Sequence, residues 1–253
     1  MLEDVARIAE EAGRIAARRC DTAFNSWEKK PGELVCDIDL EVDAYLRERL
    51  RALDPEAGWL SEETVDDSDR YERRRIWVVD PIDGTRDYLR RRPGWSVSVA
   101  LVEDRVPVLG VLAAPQRGEL WTAGRSRGSF RNGERLRASG RTELAGARVP
   151  ADTLPSADAD LVAVAKPNSI ALRIALVAAG EADLVATLKW GFEWDIAAAA
   201  LIAEEAGATV SGALGQPLAF NTASGEAFGV LVAAPGIHAA AVERLRERAL
   251  AVV

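Results

Sequence analysis

The stretch Ile76-Trp-Val-Val-Asp-Pro-Ile-Asp-Gly-Thr85 is the most informative part of this chain, because it places carboxylates at the end of an apolar run. Residues 76–79 are β-branched or aromatic, which predicts a buried β-strand. Asp80 lies where that run ends. Pro81 then fixes φ and has no backbone N–H, so we expect the chain to turn directly after the strand.

Two interpretations of this turn are open from its residues alone. Asp80 and Asp83 could hydrogen-bond to their own backbone, as aspartates in turns commonly do. Alternatively, both carboxylates and the backbone carbonyl of Ile82 could bind a hard cation such as Mg²⁺, which prefers oxygen ligands. Gly84 permits a close backbone approach and Thr85 adds a hydroxyl beside both acids, which suits either interpretation.

Acidic residues elsewhere in the chain favour the metal site. Glu62 and Glu63 directly follow the apolar pair Trp59-Leu60, as at the end of a second strand, and Asp39 begins a helical pattern. Asp195 lies at the start of a long alanine-rich helix, where it could also serve as an N-cap. Carboxylates about 4 Å apart repel by roughly 4 kcal/mol at an effective dielectric of 20, so a cluster of them requires bound cations.

The order of these acidic motifs resembles that of the inositol monophosphatase superfamily. The motifs are Asp39, Glu62-Glu63, Asp80-Pro-Ile-Asp-Gly-Thr85 and Trp194-Asp195. Members of that superfamily are Mg²⁺-dependent, lithium-sensitive phosphomonoesterases. The resemblance covers most of the chain, and it implies a layered αβαβα sandwich, a mixed α+β and α/β fold of the sugar phosphatase type.

The resemblance also implies roles for individual residues. Mg²⁺ ions, two or three in number, would be bound by Glu62, Asp80, the Ile82 carbonyl, Asp83 and Asp195, and Li⁺ would inhibit. The expected catalytic residues are Asp39, Glu62 and Thr85. Asp39 and Thr85 would form a hydrogen-bonded pair that orients and helps deprotonate a metal-bound water, which attacks phosphorus directly. The expected substrate contacts are Asp83, the amides of Gly84 and Thr85, Arg86, Ser169 and Asp195.

The resemblance implies that the substrate is a small anionic phosphate ester, but it does not identify that ester. Arg86-Asp-Tyr-Leu-Arg-Arg91, the segment 95–102 and Glu193-Trp-Asp195 resemble the 3′(2′),5′-bisphosphate nucleotidase, or CysQ-type, branch. Arg86 could lie near a second phosphate or be a solvated residue at a helix start. Inositol 1-phosphate, adenosine 3′,5′-bisphosphate and fructose 1,6-bisphosphate all stay possible, because neither fold nor metal site decides the substrate.

A non-catalytic protein that binds metal or phosphate in a regulatory role is the alternative from another functional class. The complete acid set, together with Thr85, favours an enzyme. Small residues depart from the family pattern: Cys36 stands where Thr is usual, and Ser61, Ala199 and Ala208 stand where Gly is usual. None of these changes removes a ligand, so we expect activity.

Composition excludes several other functions. With a formal charge of −8 at pH 7, the chain lacks the basic character of a protein that binds nucleic acid polymers. No apolar run is long enough to cross a membrane. The single histidine, His238, makes His-based triads and zinc sites improbable. Cys20 and Cys36 lack metal-ligand spacing and are expected to stay reduced in the cytoplasm, and the family predicts a homodimer.

Helices are expected at residues 2–20, 39–53, 169–179 and 195–206 and at the C-terminus. Strands are expected at residues 58–61, 76–80, 95–102, 106–113, 119–123, 129–136, 161–165, 184–187 and 229–233, with Asn132-Gly133 in a tight hairpin turn. A polar stretch from about Ser139 to Asp160 divides the chain. The N-terminal α+β half, 1–145, carries most of the metal ligands, and the C-terminal α/β half, 146–253, carries Asp195.

Overall fold

The computed structural model describes residues 1–30, 33–64 and 68–252. Its helices are α1 (Leu2–Cys20), α2 (Asp37–Leu53), α3 (Thr85–Leu89), α4 (Ile170–Ala178), α5 (Glu193–Glu205) and α6 (His238–Leu250). Its strands are β1 (Ser26–Lys30), β2 (Glu33–Cys36), β3 (Gly58–Ser61), β4 (Arg75–Asp83), β5 (Ser96–Glu103), β6 (Val106–Ala114), β7 (Glu119–Gly124), β8 (Gly128–Arg131), β9 (Glu134–Arg135), β10 (Arg148–Pro150), β11 (Val162–Val164), β12 (Leu184–Phe192), β13 (Thr209–Ser211) and β14 (Glu226–Ala233).

The larger sheet has seven strands in the order β3-β4-β5-β6-β7-β8-β9. β3 pairs with β4 in parallel, and the other neighbours are antiparallel. On β4, Trp77 and Val79 pack with α1 and α2, whereas Ile76 and Val78 pack with α4 and α5. The strand is apolar at successive positions because both of its faces are buried.

The smaller sheet has three strands in the order β12-β14-β13. On β14, Val230 and Val232 join the core that contains α4 and α5, and Leu231 and Ala233 pack with α6. The layers are therefore α1 and α2, the larger sheet, α4 and α5, the smaller sheet, and α6. This is the predicted αβαβα sandwich, so the expected fold class is confirmed.

Helix α5 lies between the two sheets, which explains its alanine-rich sequence. Residues 196–203 are all buried. The approach to the larger sheet is close, because a Cβ added at Gly110 of β6 would lie 2.7 Å from the carbonyl oxygen of Ala198. Ala199 is fully buried in this layer, so its methyl group contributes to the core between the sheets.

Most predicted elements are present, with differences at the end of β12 and among the shortest elements. Asn132 and Gly133 have φ values of 51° and 82°, which confirms the tight hairpin turn. The strand predicted at residues 184–187 continues to Phe192. Four short strands and a short helix were not predicted, namely β1, β2, β10, β13 and α3. They are too short or too polar to show a clear hydrophobic period.

The two predicted halves of the chain contain different elements of the fold. The larger sheet, α1, α2 and α3 lie within residues 1–145, and α4, α5, α6 and the smaller sheet lie within 146–253. One hydrophobic core contains residues from both sides, including Trp121 and Leu172. The division into halves stays a prediction. Within the described ranges, no helix is both long and apolar enough to span a membrane.

Candidate active site

A β-bulge at the end of β4 presents both aspartates of the central motif. Asp80 pairs with Ser98 and Asp83 with Ser96, so β4 has one more residue than β5 between these pairs. The extra residue lies in Pro81-Ile82, and a proline without an N–H is well suited to a bulge. Asp80 Oδ1 accepts a hydrogen bond of 2.9 Å from the Ile82 N–H. The hydrogen bond of the plain-turn interpretation is therefore present, and Asp80 still faces the other acids.

Gly84 allows the backbone to leave this bulge in a crowded position. Its φ is 97°, and an added Cβ would lie 2.8 Å from both the Gly94 carbonyl oxygen and the Ser169 nitrogen. Helix α3 starts at the next residue, Thr85, whose hydroxyl donates to the Ile82 carbonyl at 3.1 Å. The Thr85 hydroxyl oxygen keeps its lone pairs for a further hydrogen bond.

Asp83 is held by the N-terminus of α4. Its carboxylate accepts hydrogen bonds from the Ala171 N–H at 2.8 Å, the Ile170 N–H at 3.3 Å and the Ser169 hydroxyl. Ser169 is fully buried, and its hydroxyl also accepts the Leu172 N–H at 2.9 Å as the helix N-cap. Ser169, expected to contact substrate, thus lies behind Asp83 and supports it.

Asp39 and Asp195 occupy equivalent positions at the starts of α2 and α5. Each is the third residue of its helix, and each accepts the N–H of the residue before the helix: Cys36 at 2.8 Å and Phe192 at 3.2 Å. Asp195 is therefore not the N-cap itself. This arrangement satisfies a helix N-terminus and also fixes the carboxylate.

Glu62 follows β3 and is fixed by its neighbours. Its N–H donates to the Val79 carbonyl at 3.4 Å, which continues the parallel pairing with β4. On either side of the Glu62-Glu63 pair, the Ser61 and Thr64 hydroxyls both donate to the buried carboxylate of Asp43, with Thr64 at 2.7 Å. Ser61, which stands where Gly is usual, thus anchors this turn through Asp43.

The structure brings the acids together into one cluster. Carboxylate oxygens of Asp80, Asp83 and Asp195 all lie within 4.8 Å of one another. Burial raises the pKa of Asp83 to about 6 and that of Asp195 to about 7, where the charge of Asp83 adds to the effect. Burial and neighbouring carboxylates also raise the pKa of Asp80 and Glu62 well above their usual values. We call Glu62, Asp80, Asp83 and Asp195 the acidic floor.

The acidic floor fits a divalent cation. Its ligands are carboxylate oxygens from separate elements, which is the donor set of Mg²⁺ sites. Burial is the main cause of the raised pKa values, and repulsion between the carboxylates adds to it. A bound cation would offset both effects, because it stabilises the ionised carboxylates. The Ile82 carbonyl lies in the same bulge. The individual ligand assignments stay predictions.

Asp39 lies beside the floor with its own hydrogen bonds. Its Oδ2 accepts the Cys36 N–H and the Cys36 thiol, the latter at 2.9 Å. Burial raises the pKa of Asp39 to about 6. The structure gives Asp39 and Thr85 different partners, since Thr85 donates to Ile82. The expected hydrogen-bonded pair of Asp39 and Thr85 is therefore not formed directly. Their joint action on a water stays a prediction, as do the phosphate contacts of the Gly84 and Thr85 amides.

A cavity of about 340 Å³ opens above the floor. Floor residues Glu62, Asp83 and Asp195 line it together with Gly84, Thr85 and Arg86, so most predicted substrate contacts do face it. Ser169 does not. Its other lining residues include the cationic and aromatic side chains Arg173, Lys189, Trp190 and Phe192.

Several residues at the site were missed by sequence reasoning. Lys29 of β1 forms an ion pair with Glu63 and donates to the Glu62 carbonyl at 3.4 Å. The dipeptide Pro31-Gly32 was a turn signal that could have indicated the β1–β2 hairpin. No sequence pattern indicated that Asp43 belongs to the site, and none indicated it for the residues of β12 that line the cavity.

Comparison with known proteins agrees with this geometry. The model of the inositol monophosphatase family matches residues 1–253. The chain belongs to the inositol monophosphatase family. Among curated relatives, the 3′(2′),5′-bisphosphate nucleotidase CysQ of Aggregatibacter actinomycetemcomitans is 32% identical over 241 residues, 87% of each chain. An inositol-1-monophosphatase of Mesorhizobium japonicum is 34% identical over 83% of this chain and 85% of its own length.

Other members of the family carry different names. The Nus factor SuhB of Escherichia coli is 31% identical over 83% of this chain and 84% of its own length. Among solved structures, an IMPase of Thermotoga maritima has a TM-score of 0.84 at 27% identity and covers 97% of this chain and 96% of its own. The family and its layered fold are therefore established, and family membership supports a phosphatase.

Proposed function

We propose that this protein is a Mg²⁺-dependent phosphomonoesterase that hydrolyses a small anionic phosphate ester by direct attack of water. The observation that carries the proposal is the acidic floor. Oxygens of Asp80, Asp83 and Asp195 lie within 4.8 Å of one another, and Asp83 and Asp195 line the cavity. The floor residues and the Ile82 carbonyl would hold Mg²⁺, which would supply charge neutralisation for the phosphate and for the attacking and leaving oxygens.

The residues beside the floor are suited to handle the water. Both hydrogen bonds from Cys36 go to Asp39 Oδ2, which leaves Oδ1 as the acceptor for a proton. A pKa near 6 makes Asp39 a better base at neutral pH than an ordinary aspartate. The Thr85 hydroxyl, oriented by its bond to the Ile82 carbonyl, can accept from the same water and direct it.

Positioning is the other contribution of the chain. Asp83 is held by α4 and Asp195 by the start of α5, so the two acids come from the two halves of the sequence. A floor fixed by hydrogen bonds requires little reorganisation during the reaction, and preorganised electrostatics contributes the largest part of many enzymatic accelerations. Inhibition by Li⁺, a homodimeric assembly and a cytoplasmic location are further predictions from the family resemblance.

The test is phosphate release from inositol 1-phosphate and adenosine 3′,5′-bisphosphate, with Mg²⁺, with EDTA and with added Li⁺. We expect release that requires Mg²⁺ and falls at least about 1,000-fold in Asp80→Asn, because one floor charge is removed. Asp158→Asn is the matched control, since Asp158 is also buried but pairs with Arg248 away from the cavity.

The control should lose stability and keep its turnover. Folded protein that binds Mg²⁺ but releases no phosphate from these esters or from fructose 1,6-bisphosphate would contradict the proposal. That result would favour the non-catalytic alternative, and a relative in the family is named as a Nus factor.

A further inference from the structure

A second β-bulge, on β12, lies at the upper edge of the same cavity. Thr187 pairs with Val230 and Trp190 with Phe228, so two residues of β12, Leu188 and Lys189, oppose the single residue Gly229 of β14. The Thr187 hydroxyl accepts the Val230 N–H at 3.0 Å and fixes the strand at this point. Such an extra residue reverses the alternation of side chains along the strand.

Gly229 makes this bulge possible. Its φ is 64°, and an added Cβ would lie 2.4 Å from the Thr187 carbonyl oxygen and 2.6 Å from the Ala213 Cβ. Before the bulge, Val185 and Thr187 face the central layers of the fold. After it, that face is continued by Trp190, opposite Phe228, and by Phe192, opposite Glu226. The bulge therefore turns a tryptophan towards the cavity.

Trp190 is unusually placed for a large apolar side chain. It is 55% exposed although it lines the cavity, and Phe228 supports its ring at 5.5 Å with an interplanar angle of 61°. The exposed indole ring leaves apolar surface in contact with water. A ligand that stacks on its flat face would remove that surface from water. A ring supported on one side and open on the other is suited to stacking.

Lys189 adds a positive charge beside this ring. It lines the cavity, is exposed, and has neither a hydrogen bond nor an ion pair with any residue of the described ranges. Its charge acts on Asp195, where it opposes the rise in pKa that burial causes. Arg86 and Arg173 also line the cavity, but Lys189 lies beside the exposed Trp190. A lysine at this edge that forms no ion pair is suited to an anionic group that the floor does not bind. We call Lys189 and Trp190 the rim.

We infer that Lys189 and Trp190 are specificity-determining residues that bind the leaving group of the substrate, which carries a planar ring and a second anionic group, as in a nucleoside bisphosphate. The inference rests on the proposed phosphatase function of the floor. Trp190 stacks on the planar base, and Lys189 pairs with the phosphate that is not hydrolysed. Base–aromatic stacking tolerates different bases, so the rim selects a nucleotide over a cyclitol more strongly than one base over another.

The experiment compares kcat/KM for adenosine 3′,5′-bisphosphate with kcat/KM for inositol 1-phosphate, in Mg²⁺. Expressing the result as a ratio cancels any general loss of folded protein. Trp190→Ala should lower the ratio about tenfold or more, whereas Trp190→Phe, which keeps a ring, should lower it by less than about threefold. Lys189→Gln should lower it about fivefold and weaken its dependence on salt concentration.

Matched controls come from the same residue types elsewhere. Trp27 is 42% exposed but does not line the cavity, and Lys166 is paired with Asp152 outside it. Trp27→Ala and Lys166→Gln should leave the ratio within about twofold of wild type. A melting temperature for each variant separates folding defects from specificity.

Calorimetry with adenosine 5′-monophosphate and Mg²⁺ tests the rim without turnover. Trp190→Ala should weaken that binding about fivefold or more. If the wild type releases phosphate from inositol 1-phosphate but the rim variants change neither ratio nor binding, the inference is overturned and the phosphatase stands. If no ester is hydrolysed, the proposed function fails, and the calorimetric comparison alone supports or overturns the rim.

Discussion

The floor and the rim of the cavity both depend on a β-bulge, but the two bulges leave different traces in the sequence. The bulge on β4 contains Pro81, and Gly84 follows directly after Asp83, so consecutive residues of one short motif indicate its position. The bulge on β12 depends on Gly229, which lies on the paired strand. A site built from consecutive residues can be recognised as a motif, and one built by pairing of distant strands cannot.

The two regions also differ in charge and in fixation. The floor carboxylates are buried or half-buried and repel one another, and those of Asp80, Asp83 and Asp195 accept backbone N–H groups. The rim side chains are exposed and held mainly by one ring contact. Changes to the floor should therefore affect every substrate alike, whereas changes to the rim should affect the choice between substrates. The predictions below test this difference.

The largest expected effect is on the stability of the metal-free protein. In the folded state the pKa is about 6 for Asp39 and Asp83 and about 7 for Asp195, against the usual value of 3.8. The folded state thus binds more protons than the unfolded state between these values. As the pH rises from about 4 to about 7, the free energy of unfolding should therefore fall by about 3 kcal/mol or more.

Mg²⁺ should remove most of this fall, because it binds the ionised floor of the folded protein only. Guanidinium unfolding in EDTA and in Mg²⁺, at pH 4.5, 6 and 7.5, measures both effects. Asp195→Asn should flatten the metal-free dependence, and Trp190→Ala should leave it unchanged. Metal-free stability that increases over this range would show that the floor acids are not destabilised by burial and repulsion.

The next effect is that of Thr85→Ala on turnover. Removing the hydroxyl that orients the water should lower kcat about 100-fold for both esters, which is the usual scale of general acid–base assistance. Thr85→Ser should retain most of the activity. Steady-state kinetics measures this, with the rise in melting temperature on Mg²⁺ addition as the control. An effect confined to one ester would place Thr85 with the rim.

Among the residues that form or support the floor, the smallest effect is expected for Ser169→Ala. This change removes a donor to Asp83 and the N-cap of α4, so kcat/KM should fall about tenfold for both esters and the melting temperature by a few degrees. A buried support of the floor cannot distinguish leaving groups. A loss that differs between adenosine 3′,5′-bisphosphate and inositol 1-phosphate would restore Ser169 to its expected place as a substrate contact.

The predictions from sequence agree with the structure where an acidic side chain lies in a short motif that also marks a strand end or a helix start. The acids of the floor lie within short motifs with strand ends or helix starts beside them, and the structure gathers Asp80, Asp83 and Asp195 as expected. The predictions were wrong about the end of β12 and did not include the β1–β2 hairpin that brings Lys29 to Glu63. On β12 the bulge interrupts the alternation of side chains on which prediction depends, and β1 and β2 are too short to show a clear period.

The sequence by itself determined the short acidic motifs, because each motif consists of consecutive residues. Their order along the chain gave the resemblance to the family, and the resemblance implied the layered fold. Only the tertiary structure decided that Ser169 lies behind Asp83, that Asp43 anchors the turn around Glu62, and that Trp190 faces the cavity. These outcomes depend on hydrogen bonds and strand register between segments far apart in the chain, and a shift of one residue in register exchanges the two faces of a strand.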